Sequence, residues 1–154
     1  MTPDEMLARE GIRYTIELYN RNSDTADYDR HHDVFHPEAV MEVVGTGGGK
    51  LEGIDTIIAA MRAGAEKRGA FDPGNFQRHN ITSVMIDLID AERATARIYI
   101  IVITERGLDH AGGYDDEYRK VGDRWLIWRR RASMEWASPE SRFNAWIKQA
   151  KPRD

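Results

Sequence analysis

The stretch NFQRHNITSVMIDLID, Asn75–Asp90, marks the point where the hydrophobic pattern of the chain changes from a helical period to an alternating one. Within and after this stretch, four segments alternate apolar and polar residues, as strands with one buried face do: HNITSVMIDLI, ATARIYIIVITE, GGYDDEYRKV and RWLIWRRRASMEW. Their connections contain only DAER, RGLDHA and GD. Connections this short predict that neighbouring strands pair antiparallel, as a meander.

The residues before this stretch are typical of helices. A first helix is predicted over residues 3–21, because Thr2 and Glu5 have the spacing of a capping box and Pro3 fits the first helical position. Asp27 can cap a short second helix in YDRHHDVF, which Pro37 ends, and IDTIIAAMRAGAEKR has the spacing of a third. AVMEVV reads as a short strand, GTGGGKLEG as a loop and PESRFNAWIKQA as a terminal helix. Helices on one face of a long curved antiparallel sheet indicate an α+β fold, in a single domain over residues 1–154.

The composition limits the kinds of partner. The chain has 154 residues, of which 41% are hydrophobic and 31% charged, as in ordinary globular proteins. No apolar run approaches the roughly 20 residues that span a bilayer. The N-terminus is acidic where a secretory signal would be basic, so we expect a cytoplasmic protein without a membrane contact. A net charge of -4 argues against nucleic acid as a partner. We therefore expect a small molecule or a second copy of the chain.

His79 occupies a position where an inward-facing apolar residue would be expected. An imidazole, with an ordinary pKa near 6.5, is a usable base at neutral pH. A carboxylate on its other nitrogen fixes the tautomer and stabilises the imidazolium once a proton has been taken. The pattern alone also allows a simpler reading, because a histidine at a strand end is commonly a hydrogen-bonded structural residue.

Several motifs, in their order and spacing, resemble the SnoaL-like branch of the NTF2-like superfamily. They are SDTADYDRHHDVFHPEAVMEV after the first helix, Gly53 and Ile57 at the start of the third, RHNITS, and GGYDDEYRKVGDRWLIWRR. The resemblance extends over the whole chain. It implies an NTF2-like (cystatin-like) cone, in which a bent sheet wraps around three N-terminal helices and leaves an apolar cavity. The branch contains scytalone dehydratase and hexachlorocyclohexane dehydrochlorinase, but the fold also hosts isomerases, hydrolases and binding proteins.

The resemblance assigns roles to particular residues. The two lyases share a catalytic histidine at the start of the first long strand, where this chain has His79, and an aspartate at the end of the first helix, where it has Asp24. The scytalone dehydratase branch carries a second active-site histidine. His110 lies close to that place, although an offset of one residue would turn it to the opposite face.

Further candidates are aromatic or cationic residues near these positions. Tyr99 and Tyr114 lie in strand interiors where a phenol could polarise a substrate oxygen, and Tyr19 belongs to the first helix. Buried tyrosines are more often core aromatics with a satisfied hydroxyl. Alternation turns Arg78 away from the face of the proposed base, which leaves it as a ligand or salt-bridge candidate. Trp128 is one of the aromatic residues expected to line the cavity.

The sequence predicts neither a metal nor a cofactor. His32 and His36 have the i,i+4 spacing of a helical metal site, but Pro37 ends that helix at once and no third ligand follows nearby. GTGGGK lacks the ending of a phosphate-binding loop. The absence of cysteine removes disulfides, thiolate nucleophiles and the usual structural zinc sites.

These observations favour a cofactor-independent lyase that acts on a small hydrophobic, hydroxylated aromatic or alicyclic substrate. Retro-aldol cleavage or double-bond isomerisation would use the same base. The alternative is a non-catalytic binding or assembly module of the same fold, such as the small subunit of an aromatic-ring dioxygenase. We also expect a homodimer or homotrimer packed through the sheets, because Val84, Ile86 and Leu88, or their neighbours of opposite parity, should lie on the outer face.

Overall fold

The computed structural model describes residues 1–44 and 49–144. It contains two α-helices and a 3₁₀ helix, which are α1 (Pro3–Asp24), the 3₁₀ helix Tyr28–Asp33 and α2 (Ile54–Lys67). Six strands complete it, namely β1 (Phe35–Val44), β2 (Lys50–Glu52), β3 (Gln77–Leu88), β4 (Arg93–Thr104), β5 (Gly107–Val121) and β6 (Arg124–Ala137).

Helix α1 begins with the predicted capping box and ends one turn later than predicted. The hydroxyl of Thr2 accepts the backbone N–H of Glu5 at 3.2 Å, and the Glu5 carboxylate accepts the backbone N–H of Thr2 at 2.7 Å. The helix continues to Asp24, so this residue is held rigidly at its C-terminal end. The prediction that Asp27 caps a second helix is wrong, because its side chain makes no cap hydrogen bond and the segment that follows is a 3₁₀ turn.

One mixed sheet contains all six strands, in the order β2-β1-β6-β5-β4-β3. The predicted antiparallel meander of the four long strands is confirmed. The fully antiparallel sheet is not, because β1 pairs parallel with β6. Strand β1 is also longer than AVMEVV and includes Pro37, which fits because the pairing with β6 shifts register between Phe35 and Val40. Strand β2 forms where the sequence predicted only a loop.

The helices pack against the inner face of this sheet and share one core with it. Ile12 and Ile16 of α1 and Ile57 of α2 are almost completely buried. They belong to one cluster with apolar residues from the sheet, including Phe35, Ile98, Val102 and Ile127. The arrangement is the α+β cone expected from the sequence, with the edge strand β3 placed beside the C-terminal end of α1.

A bulge in β3 decides which of its side chains face inward. The register with β4 shifts between Ile81 and Ser83. Beyond the shift Ile86 is buried, and Val84 and Leu88 pack against the core. Of the two parities that the sequence left open, these three residues take the inner face. Their neighbour Met85, which is 68% exposed, lies on the outer face instead.

Two further findings concern the helices. The predicted terminal helix over PESRFNAWIKQA lies largely outside the described residues, which show turns up to Phe143 and a helical residue at Asn144. Within residues 1–44 and 49–144, no helix combines the length and the apolar character that crossing a membrane requires.

Candidate active site

A cavity of about 330 Å³ lies between the two helices and the inner face of the sheet. This volume is at the lower end of the range for small-molecule sites. Its wall is largely apolar, with contributions from Tyr19, Met41, Leu51, Met61, Ile100 and Tyr114. The imidazoles of His79 and His110 also line it, together with other polar side chains, namely Ser23, Tyr28, Arg68, Gln77 and Ser133.

The first imidazole, His79, is held by Asp24 through two hydrogen bonds. Its Nδ1 lies 2.6 Å from Asp24 Oδ1, and its backbone N–H donates to Asp24 Oδ2 at 2.9 Å. The two side chains are 12% and 9% exposed. Strand β3 is an edge strand, which leaves its outward backbone groups available to the end of α1. A second link lies beside the first, since the Gln77 side chain donates to the backbone carbonyl of Ser23 at 3.2 Å.

The second imidazole, His110, is held by its neighbour Asp109. Nδ1 of His110 lies 2.6 Å from Asp109 Oδ1, and the side chains are 7% and 1% exposed. The same carboxylate accepts the hydroxyl of Ser141 at 2.7 Å and the backbone N–H of Arg142 at 3.4 Å. His110 lies on the inner face of β5, so the one-residue offset does not occur.

A bulge explains how two consecutive residues both point inward. Val102 of β4 pairs with His110, while Ile103 pairs with Leu108, so Asp109 is an extra residue in the ladder. On its other side Val102 pairs with His79. The two imidazoles therefore flank Val102 in one row across three strands.

Burial and hydrogen bonding together set the protonation of the second pair. Burial lowers the pKa of His110, and the hydrogen bond and charge of Asp109 only partly oppose this. Burial would raise the pKa of Asp109, but hydrogen bonds from His110 and Ser141 outweigh it and the pKa lies below its usual value. At neutral pH the ring is therefore neutral and the carboxylate ionised.

Two tyrosines cover a buried ion pair at one side of the cavity. Tyr19 and Tyr114 both line the cavity, and the guanidinium carbon of Arg130 lies 4.0 Å from each ring centroid. Arg130 donates two hydrogen bonds to Asp116, at 2.8 and 2.6 Å, and the hydroxyl of Tyr118 donates to the same carboxylate at 2.6 Å. Burial raises the pKa of Tyr114 well above its usual value, so its phenol stays protonated.

A third imidazole, His31, lies in the core and has no carboxylate partner among residues 1–44 and 49–144. Its Nε2 lies 3.2 Å from the Ser23 hydroxyl, and its ring stacks on Phe35 with the centroids 6.0 Å apart. Burial lowers its pKa to about 4. The ring is therefore a neutral core residue at physiological pH.

Tyr99 and Arg78 do not reach the cavity, which corrects two predictions. Ile98 and Ile100 face the core, so alternation turns Tyr99 outward, where it is 48% exposed. Arg78 is exposed on the side of β3 opposite His79, and its guanidinium donates to the backbone carbonyl of Gln77 at 2.8 Å.

Trp128 is also misplaced by the sequence analysis. The register of β5 and β6 shifts after Glu117, which pairs with Arg129, because Tyr118 already pairs with Ile127. Trp128 is thus the extra residue of a bulge. Its ring lies between two arginines, with the guanidinium carbons of Arg119 and Arg129 at 3.7 and 4.4 Å from its centroid, and it is not among the cavity-lining residues.

The sequence analysis missed Asp109 and Ser141. The signal for Asp109 is the glycine pair that follows it in DHAGG, since glycines inside a strand often mark a bulge or a close backbone contact. A Cβ on Gly112 would lie 2.0 Å from the carbonyl oxygen of Ser133. No comparable signal exists for Ser141, which lies in a turn.

The described part of the chain contains no cluster of three or more potential metal ligands. The two histidines with helical spacing have other contacts. His36 Nδ1 accepts the backbone N–H of Glu38 at 3.1 Å, and His32 Nε2 lies 3.7 Å from Asp55.

Comparison with known proteins agrees with this architecture. The family model of the SnoaL-like domain matches residues 4–131. No curated protein matches the sequence significantly. Among solved structures, a putative scytalone dehydratase from Novosphingobium aromaticivorans is 18% identical, with a TM-score of 0.74, over 90% of this chain and 91% of the other.

Two other solved structures are similar to this chain. A Mycobacterium tuberculosis protein of unknown function is 19% identical, with a TM-score of 0.76, over 97% of this chain and 90% of its own. LinA is 16% identical, with a TM-score of 0.73, over 88% and 91%. Other neighbours are described as having cystatin-like or NTF2-like folds. At these identities the structures establish the fold, and the match to the family model establishes the membership: this chain belongs to the SnoaL-like domain family.

Proposed function

We propose that this protein is a cofactor-independent lyase in which His79 is the general base and Asp24 its carboxylate partner. The observation that carries the proposal is the 2.6 Å contact between His79 Nδ1 and Asp24 Oδ1, at the wall of a mostly apolar cavity. A carboxylate bound to Nδ1 leaves Nε2 unprotonated on a neutral ring, because an ionised carboxylate can only accept. The proton-accepting nitrogen is then the one available to a substrate.

The proposed reaction is an elimination of water. Nε2 of His79 takes a proton from carbon, the C–H electron pair becomes a double bond, and the hydroxyl on the adjacent carbon departs. That hydroxyl leaves as water when it receives the proton, so the atoms and charges balance without a cofactor. Asp24 stabilises the imidazolium between the two steps. The phenol of Tyr114 stays protonated, and a substrate oxygen would have to replace Asn20 Oδ1, 3.4 Å away, as the acceptor of its hydroxyl.

The cavity supports a small hydrophobic substrate with one or two polar groups. A volume of about 330 Å³ suits one or two rings, and apolar and aromatic side chains supply most of the wall. The proposed substrate class is therefore a hydroxylated aromatic or alicyclic compound. Double-bond isomerisation and retro-aldol cleavage need the same base and differ in which bond breaks.

A screen of cyclic ketones with a hydroxyl group β to the carbonyl tests the proposal, because loss of water creates an enone with a new ultraviolet absorbance. Exchange of the acidic C–H for deuterium in D₂O, followed by NMR, detects proton abstraction even from a ketone that does not lose its hydroxyl group. We expect both signals from the native protein and neither from His79→Ala. Tyr99→Phe, on the outer face, is the matched control. Near-normal activity of the His79→Ala variant would remove His79 as the base.

The alternative function is a binding or assembly module, such as a dioxygenase small subunit. Such a module has no need for an imidazole paired with a carboxylate at an apolar cavity, so the two pairs support the enzyme. Co-purification with a large iron–sulfur protein, together with no exchange of any ketone, would instead favour the module. The proposal places the enzyme in the cytoplasm, where a cysteine-free chain depends on no disulfide.

We also propose that copies of the chain associate through the outer face of the sheet, as a homodimer or homotrimer. Exposed apolar side chains occur there, including Met85, Tyr99 and Ile103. Beside them runs a row of paired residues with alternating charge, consisting of Lys50, Glu42, Arg131, Asp115 and Arg97. Alternating charges can complement a second copy of the same face. A monomer by light scattering at high micromolar concentration would contradict the association.

A further inference from the structure

We propose that Asp109 is a positioning residue that fixes the tautomer of His110, so that His110 Nε2 accepts a hydrogen bond from a free hydroxyl of the substrate. The inference rests on the proposed function only in taking the cavity as the substrate site. It does not require that His79 is a base, and it concerns recognition of the substrate separately from proton abstraction.

The surroundings of Asp109 stabilise its negative charge specifically. A carboxylate that is 1% exposed is costly to bury unless several donors compensate it. Asp109 receives three, and the two shorter bonds, from His110 Nδ1 and the Ser141 hydroxyl, share Oδ1. This oxygen therefore binds the imidazole and the segment after β6 together.

The same contacts fix the orientation of the His110 ring. Nδ1 must carry the hydrogen that Asp109 accepts, and Nε2 of the neutral ring then has only a lone pair to offer. The ring of Phe143 packs against the imidazole, with centroids 4.5 Å apart. None of the hydrogen bonds of the described residues reaches Nε2 of His110, which belongs to a residue lining the cavity.

The cavity thus presents two acceptor nitrogens, and each can pair with a hydrogen-bond donor or an acidic proton of the ligand. His79 and His110 flank Val102, so their strands are separated by about 10 Å. A substrate that offers an acidic C–H to His79 would offer an O–H to His110. An ether at the second position has no donor and would cover Nε2 of the buried His110 side chain without pairing it, which is unfavourable.

The segment after β6 connects the Asp109–His110 pair to the rest of the fold. The backbone N–H of Ser138 donates to the backbone carbonyl of Asp109 at 2.8 Å, and that of Ser141 to the carbonyl of Ser138 at 3.0 Å. Through the Ser141 hydroxyl, the turn that follows β6 therefore reaches the carboxylate that orients His110.

Nitrogen-15 NMR of the imidazoles tests the positioning role directly. In the native protein we expect His110 to carry its proton on Nδ1, assigned by comparison with His110→Phe. Asp109→Ala should shift this ring towards the Nε2-protonated tautomer, and Asp109→Asn, which keeps an oxygen acceptor, should restore the native tautomer. A His110 ring protonated on Nε2 in the native protein, or an unchanged tautomer in folded Asp109→Ala, would overturn the proposal.

Binding of 2-naphthol and 2-methoxynaphthalene, measured by calorimetry on the full chain, tests the hydroxyl recognition. We expect the native protein to bind the naphthol about tenfold more tightly, the equivalent of one net hydrogen bond. His110→Phe, which does not depend on the folding of an Asp109 variant, should remove this preference, and Tyr99→Phe, on the outer face of the sheet, should leave it in place.

Two results would overturn the hydroxyl recognition. The first is equal binding, or no binding, of the two probes by the native protein. The second is loss of the preference in His79→Phe while His110→Phe retains it, because the acceptor would then be the other imidazole. Neither result depends on turnover, so failure of the proposed elimination remains a separate finding.

Discussion

The two imidazole–carboxylate pairs of the cavity have the same 2.6 Å contact but are built differently. His79 and Asp24 are 55 residues apart in the chain, and the end of α1 must meet the edge of the sheet to join them. His110 and Asp109 are consecutive, and only a bulge lets both side chains point inward. The first pair can form only when the tertiary fold brings two distant segments together. The second pair depends on a local bulge in one strand.

The largest expected effect concerns the first pair. His79→Ala should lower kcat/KM for the elimination by about 10²–10⁴, the usual loss for a positioned general base. Asp24→Asn should have a similar effect, because an amide no longer stabilises the imidazolium. The double variant should be little worse than His79→Ala, since residues that act as one unit are not additive.

Steady-state kinetics on the same substrate, with circular dichroism to verify folding, measures this effect. Additive losses in the double variant would contradict the pairing. A full loss from His110→Phe with none from His79→Ala would reverse the roles of the two pairs.

The next effect is on stability and should be larger for the second pair. Asp109→Ala removes the acceptor of the His110 ring, the Ser141 hydroxyl and a backbone N–H, so we expect it to lower the free energy of unfolding by about 3–5 kcal/mol. Asp24→Ala removes the acceptor of two groups of His79 and should cost about 2 kcal/mol. Urea denaturation at pH 7 measures both. Equal losses would indicate that the additional donors of Asp109 contribute nothing.

His31 shows how an imidazole that is not paired with a carboxylate affects the free energy of unfolding as the pH changes. Its folded-state pKa of about 4 lies below the unfolded value near 6.5, so between these values the unfolded chain binds a proton that the folded chain does not. The contribution of this group must therefore fall as the pH decreases from 6.5 to 4, by about 3 kcal/mol in total, and then level off.

The measurement is the difference between the unfolding free energies of the native protein and His31→Phe, taken from pH 7 to pH 4. Using the difference removes the contributions of the other titrating groups. We expect the native protein to lose more stability than the variant over this window. Parallel curves for the two proteins would contradict the low pKa.

The sequence could predict features that follow from periodicity and could not predict those that follow from its interruptions. The helices and the four long strands have regular patterns, and the structure has them in the predicted order. The parallel partner of β6 was missed because the pairing of β1 joins segments far apart in the chain. Nothing in the pattern of a short apolar strand indicates which edge it will join.

The candidate site shows the same division more sharply. The contact between His79 and Asp24 was expected only from a family resemblance, since no periodicity relates residues on a helix end and an edge strand. Asp109 was missed because strict alternation would turn it outward. Trp128 was wrongly placed in the cavity because a bulge makes it the extra residue of its strand. Each bulge changes which of two faces a side chain occupies.

The smallest expected effects belong to the residues that the structure moves away from the cavity. Tyr99→Phe removes a hydroxyl from a half-exposed ring on the outer face of β4. Trp128→Phe keeps an aromatic ring between two exposed arginines. Surface changes of this kind usually alter stability by less than about 0.5 kcal/mol, and neither side chain lies where a substrate would contact it.

We therefore expect both variants to retain native kcat/KM and native affinity for 2-naphthol, while Tyr114→Phe, in the cavity wall on the neighbouring strand, changes at least one of them. Tyr114 provides the matched comparison because its hydroxyl is buried, 3.4 Å from Asn20 Oδ1, whereas Tyr99 faces the opposite side of the sheet. A tenfold loss from Tyr99→Phe would place its phenol in the reaction and would require the opposite assignment of faces to β4. Val102 of β4 pairs with both His79 and His110, so the opposite assignment of faces to β4 would also contradict the placement of the two imidazoles on one wall of the cavity.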